Sequence, residues 1–170
     1  NNKSMKIAII SDTHDNLATL DKFLTYTGQN PLGIVIHCGD IASGDTLQYL
    51  AKRFDGKIWA VLGNMDYCDS VIAAAKNFPE KVILFENFGQ LKLGGLNIGF
   101  CHHKEMALSR AQGNSFDFVF YGHTHKPWQE TVNSCQLVNP GNLAGMMYQA
   151  TFALLDSKTK KLELKIIDRL

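Results

Sequence analysis

Six short runs of β-branched and aromatic residues punctuate the first two-thirds of this chain, and stretches with helical spacing separate several of them. The runs are Ile7–Ile10, Ile34–Ile36, Ile58–Leu62, Val82–Phe85, Ile98–Phe100 and Phe116–Phe120. Each is too short for a helix and reads as a strand. Leu17, Leu20, Phe23 and Leu24 recur at three and four residues, the spacing of one helical face. Asp15 is placed to cap that helix and Gly28 to end it. Leu47, Leu50, Ala51 and Phe54 form a second stripe, stopped by Gly56. Val71 to Phe78 forms a third, ended by Pro79, and Lys104 to Gln112 a fourth, before Gly113. The last third changes character. Thr131–Val132, Gln136–Val138, Thr151–Leu155 and Leu162–Ile167 are strand-like with little helix between them, and Asp156 to Lys161 closes a hairpin. Strand–helix alternation followed by a meander predicts an α/β (α+β) chain: two mixed β-sheets packed as a sandwich, with helices outside.

Composition excludes more than it proposes. A chain of 170 residues suits one domain, and it carries no repeat, low-complexity segment or linker, so residues 1–170 are read as one unit. Met5 is the expected natural start, with residues 1–4 an addition ahead of it. The formal net charge is only +1. The densest basic run, Lys158 to Lys161, is expected to be a solvated hairpin tip, so no nucleic-acid-binding patch or anionic-membrane partner is indicated. Cys38, Cys68, Cys101 and Cys135 form no C-x-x-C pair and read as thiols of a reducing cytosol, which gives a cytoplasmic expectation. No apolar stretch approaches the roughly 18 residues of a membrane span.

The chemistry lies at the ends of the strands. After the first comes Ser11-Asp12-Thr13-His14-Asp15-Asn16; after the second, His37-Cys38-Gly39-Asp40; after the third, Gly63-Asn64-Met65-Asp66. Cys101-His102-His103 and Tyr121-Gly122-His123-Thr124-His125 come after two later strands. Any one of these is ordinary turn or cap chemistry. Together they place Asp12, His14, Asp40, Asn64, His102, His123 and His125 at strand ends, and parallel strands end on one edge of a sheet. Two carboxylates gathered there without a cation would repel and shift their protonation. Seven donors exceed what one open metal site uses and suit two divalent ions. One carboxylate then bridges, and Asp40 is the choice because its strand is expected to be central. Carboxylate, carboxamide and imidazole donors suit Mn, Ni, Fe, Co or Zn, with Mn the leading candidate.

The ordered set Asp-x-His, Gly-Asp, Gly-Asn, a single His, then Gly-His-x-His resembles the calcineurin-like metallophosphoesterases over almost the whole chain. The short length, the Ser-Asp-Thr-His-Asp-Asn opening and Asn139-Pro140-Gly141-Asn142 resemble the small bacterial and archaeal phosphodiesterase branch, which is also similar to a eukaryotic retromer subunit. The resemblance implies a four-layer sandwich. It implies that Asp12, His14, Asp40 and His125 hold one ion, and that Asp40, Asn64, His102 and His123 hold the other. There are departures. Larger members carry after Gly-Asn a His that assists the leaving group, where this chain has Met65. The ligand His102 is succeeded by His103 rather than Gly. The usual Asn-Pro-Gly-Ser ends here in Asn142.

The expected reaction is hydrolysis of a phosphodiester, with phosphomonoester activity left open, by a hydroxide that two cations share. The expected partner is a small phosphate ester. His103 could supply the proton that Met65 cannot, Asn16 could touch substrate phosphate, and Asp15 and Asp66 could orient ligand histidines. His37 and Ser11 are expected to serve packing and strand-end hydrogen bonding. The competing reading is a protein-binding scaffold that keeps the fold, which would predict eroded ligands. The sequence leaves a homo-oligomer open.

Overall fold

The computed structural model describes residues 5–170; the expectation about residues 1–4 lies outside the described residues. Among the described residues, eleven strands form two mixed sheets. The first contains β1 (Lys6–Ile10), β2 (Ile34–His37), β3 (Lys57–Val61), β4 (Val82–Phe85), β10 (Thr151–Asp156) and β11 (Leu162–Ile166). Its order is β11-β10-β1-β2-β3-β4, with β1 to β4 parallel and the β10–β11 hairpin antiparallel at one side. The second contains β5 (Phe88–Leu93), β6 (Leu96–Cys101), β7 (Phe118–Phe120), β8 (Trp128–Val132) and β9 (Cys135–Asn139), in the order β5-β6-β7-β9-β8.

Alternation along β1 explains the layering. Ile7 and Ile9 point into a core shared with Ile98, Phe100, Phe118 and Phe120 of the second sheet. Ala8 and Ile10 point the other way, against Leu20 and Phe23 of α1 (Leu17–Gln29) and Leu47 and Leu50 of α2 (Gly44–Arg53). Val71 and Ala74 of α3 (Cys68–Lys76) join that second cluster. A third cluster sets Ala107 and Ala111 of α4 (Lys104–Gln112) against Val119 and Leu137 on the outer face of the second sheet. The result is the expected helix–sheet–sheet–helix sandwich. Strands covered on both faces need no polar alternation, which is why the runs read as continuously apolar.

Three details differ from the sequence reading. Asn16, not Asp15, caps α1: Thr19 N donates to its Oδ1 at 3.3 Å. Gly28 lies inside that helix, whose last carbonyls are met at Asn30. The strand Phe88–Leu93 was not anticipated; it forms a hairpin with β6 through Gly94 and Gly95, both at positive φ (58° and 84°). Two left-handed residues give the turn a twist that matches antiparallel strands, and glycine adopts them without a Cβ penalty. The Lys158–Lys161 segment is an exposed turn, with Lys160 Nζ 2.9 Å from Asp117. No helix among the described residues is long and apolar enough to cross a membrane.

Candidate metal centre

The loops after β1, β2, β3, β6 and β7 meet at one edge of the sandwich. Backbone bonds fasten them to one another. Asp12 N and His14 N donate to the carbonyls of Gly39 and Asp40, at 3.0 and 3.1 Å, and Gly122 N donates to the His102 carbonyl at 3.0 Å. Asp12, His14, Asp40, His123 and His125 all sit at positive φ, between 44° and 66°. Left-handed backbone costs a residue with a Cβ roughly 1–2 kcal/mol, least for Asp, Asn and His. Five such residues among the proposed ligands mean that the surrounding bonds hold strained loops in place. The motif glycines have a related cause. A Cβ on Gly63 would collide with Asp40 Oδ1, and one on Gly122 with Ser11 Oγ.

All seven proposed ligands converge, in two groups. In the first, His14 Nε2 lies 3.2 Å from His125 Nε2, 3.8 Å from Asp12 Oδ1 and 3.6 Å from Asp40 Oδ2. His125 Nε2 is 3.3 Å from Asp12 Oδ1. In the second, His102 Nε2 lies 2.9 Å from Asn64 Oδ1, 3.3 Å from His123 Nδ1 and 3.3 Å from Asp40 Oδ2. Asp40 Oδ2 therefore belongs to both groups, while its Oδ1 accepts from Met65 N at 2.8 Å. Metal–donor bonds of about 2.1 Å at angles of 90–110° put donors roughly 3.0–3.4 Å apart. Four of the seven spacings fall in that range; His14 lies farther from the two carboxylates, at 3.6 and 3.8 Å, and Asn64 slightly closer to His102, at 2.9 Å.

The hydrogen-bond chemistry fits a cation as well. His102 Nδ1 donates to the Cys38 carbonyl at 2.8 Å, so Nε2 carries the lone pair of the neutral ring. That lone pair faces the acceptor oxygens of Asn64 and Asp40, an arrangement that a proton or a metal ion between them stabilises. Burial by itself raises the Asp12 carboxyl, but hydrogen bonds with His125 and His14 outweigh it and hold the group well below the usual carboxylate range. Burial likewise opposes, and His102 outweighs, in lowering Asp40. In return His102 is raised, its burial overcome by Asp40, and His125 is raised chiefly by its bond to Asp12.

The surrounding residues divide. His37 is buried beneath the centre, with Nε2 2.7 Å from Thr13 Oγ1, and burial pushes it down to about 4, so it stays neutral. His103 is exposed, its ring 4.9 Å from that of His102 and 4.7 Å from that of His123. Partial burial and those two rings lower its pKa. Asp15 and Asp66 hydrogen-bond no imidazole among the described residues, which corrects the role expected for them. Asp15 Oδ1 accepts from Ser43 N and Oγ and from Thr46 Oγ1, pinning the start of α2. Asp66 accepts from Ala42 N at 2.6 Å and Gly63 N at 2.7 Å, tying together the loops that carry Asp40 and Asn64. Asn16 spends its Oδ1 on Thr19 N and its Nδ2 on the Ala144 carbonyl, 2.8 Å away, so nothing supports a phosphate contact from it.

Two supports were missed. Asn139 Nδ2 donates to the Gly122 carbonyl at 2.8 Å and to Thr124 Oγ1 at 3.0 Å. Asn142 Nδ2 donates to the His125 carbonyl at 3.1 Å, and its Oδ1 accepts from Met146 N at 2.7 Å. A carboxamide at 142 thus both donates and accepts, holding the His125 backbone against the next loop. The Asn-Pro-Gly-Asn segment was the visible signal, without the role.

Comparison with known proteins identifies the family. A phosphodiesterase of Methanocaldococcus jannaschii is 30% identical over 164 residues, 92% of this chain and 96% of its own. A solved structure described as a novel archaeal phosphodiesterase superposes with a TM-score of 0.87 at 28% identity, covering 95% of this chain and 99% of that one. Vps29 of Chaetomium thermophilum shares the fold, with a TM-score of 0.71 at 16% identity over 95% of each chain. The sequence profile of the calcineurin-like phosphoesterase superfamily domain spans residues 5–160, from the first strand of the sandwich to its last hairpin, and the chain belongs to that superfamily.

Proposed function

We propose that the chain is a phosphoesterase that hydrolyses phosphodiesters with two divalent cations. Asp12, His14, Asp40 and His125 would hold one, and Asp40, Asn64, His102 and His123 the other. The observation that carries this reading is Asp40 Oδ2, 3.6 Å from His14 Nε2 and 3.3 Å from His102 Nε2, a single oxygen within two donor sets. Cations so held would lower the pKa of a water they share towards neutrality and offset charge on the phosphate oxygens. Mn is the favoured ion, with Ni, Fe, Co and Zn compatible with the same donors.

The chain's own residues supply the rest. Asp12 and Asp40 are kept ionised by their histidines, and the Cys38 carbonyl fixes the His102 tautomer. His103, its ring 4.9 Å from that of His102 and 4.7 Å from that of His123, is a protonatable group beside the second donor set and the candidate donor to the leaving group. Because burial and the neighbouring imidazoles lower its pKa, less of it is protonated at neutral pH than for an ordinary imidazole, so its contribution should be larger at the acid side of the profile. The test is turnover of aryl phosphodiesters of rising leaving-group pKa with added Mn. His103→Ala should lose progressively more rate as the leaving group worsens. An equal loss across the series would remove His103 from the reaction. Wild-type protein that binds Mn but turns over none of these esters would favour the scaffold reading.

A further inference from the structure

A groove of about 750 Å³ opens directly from the second donor set. Gly63, Asn64, His102 and His103 are among the residues that line it. Its apolar walls are Leu62 from the loop after β3, Ile72 and Ala75 from α3, Pro79 from the turn after it, and Leu84 and Phe85 from β4; Lys76 and Glu86 line it too. Ile72 keeps 36% of its surface exposed here, and Leu62, Leu84 and Phe85 are only half-buried. These apolar side chains face water unless something fills the groove, and its size falls within the range of cavities that enclose a drug-sized group. A phosphate bound to a cation held by Asn64 and His102 would have this floor beside it for one ester arm. A methyl arm would leave the groove wet.

We infer that this groove is the subsite for one large, flat, apolar arm of the phosphate ester, with Ile72 and Ala75 setting how large. The inference rests on the centre being a phosphate site. Filling the groove with such an arm removes both apolar surfaces from water, and a fused bicyclic ring should gain at least about tenfold in affinity over a methyl group.

The test uses two phosphonates, whose carbon–phosphorus bond is not hydrolysed, titrated by calorimetry into Mn-loaded protein. Naphthylmethylphosphonate should bind at least about tenfold more tightly than methylphosphonate. Ile72→Trp and, separately, Ala75→Phe should erase that advantage and leave the methylphosphonate Kd unchanged, which also shows that the variants fold. Equal affinities in the wild type, or an advantage that survives both substitutions, would overturn the subsite while leaving the centre intact. If neither phosphonate binds, the phosphate reading of the centre fails and takes the subsite with it.

Discussion

The two halves of the centre share Asp40 but differ in charge and cover. The half built from Asp12, His14 and His125 has a carboxylate of its own, fully buried, and a wall made by the loop that Asn142 and Asn16 fasten. The half built from Asn64, His102 and His123 adds only neutral donors; Asn64 and His123 are exposed, and the apolar groove begins beside them. A second carboxylate in lower dielectric favours a cation more strongly than a carboxamide at the surface. The first half should therefore be the tighter, retained site. The second should be the exchangeable one, next to substrate.

The most severe way to break this contrast is to remove what the halves share. Asp40→Ala should abolish tight binding at both and reduce diesterase turnover on the order of 10³-fold or more. Elemental analysis after gel filtration would read the metal content, and retention of two ions would contradict the shared role. Next comes a paired comparison. Asp12→Ala should leave no ion that survives gel filtration, whereas Asn64→Ala should retain one ion per chain. Equal retention in the two variants would erase the distinction between the halves.

Acidity gives a smaller effect. In the metal-free protein the raised His102 and His125 add stability that is full below the ordinary imidazole value of 6.5 and is lost as pH rises through their folded values. The lowered Asp12 and Asp40 add stability above 3.8 that is lost as pH falls through theirs. Cations need those imidazoles unprotonated, so their binding strengthens with pH. The Tm gained on adding Mn should grow between about pH 5.5 and 8; a constant or shrinking gain would contradict the charge pairing. The mildest change is Asn142→Ala, which loosens the His125 backbone. It should weaken retained metal about 10- to 100-fold, the usual cost of losing a supporting bond, and spare the exchangeable ion.

Much of the centre was legible because strand ends concentrate it. Each of Asp12, Asp40, Asn64, His102 and His123 comes within a few residues of the end of an apolar run, and parallel topology does the gathering. The supports were not legible, because they depend on which loops touch. Asp15 is adjacent to the true cap, Asn16, and its backbone is left-handed (φ 55°), with its carboxylate bonded to Ser43 and Thr46 at the start of α2. Nothing local to Asp66 indicates that two backbone amides will claim it. Phe88–Leu93 escaped because Gly89 and Gln90 interrupt its apolar run, although Gly94-Gly95 marked the turn that pairs it.

The shared role proposed for Asp40 has a direct magnetic signature. Two Mn(II) ions held by donor sets that share Asp40 would be exchange-coupled, so protein loaded with two equivalents should give a multiline dinuclear EPR spectrum that collapses in Asp40→Asn. Only the six-line pattern of isolated ions in the fully loaded wild type would contradict the account.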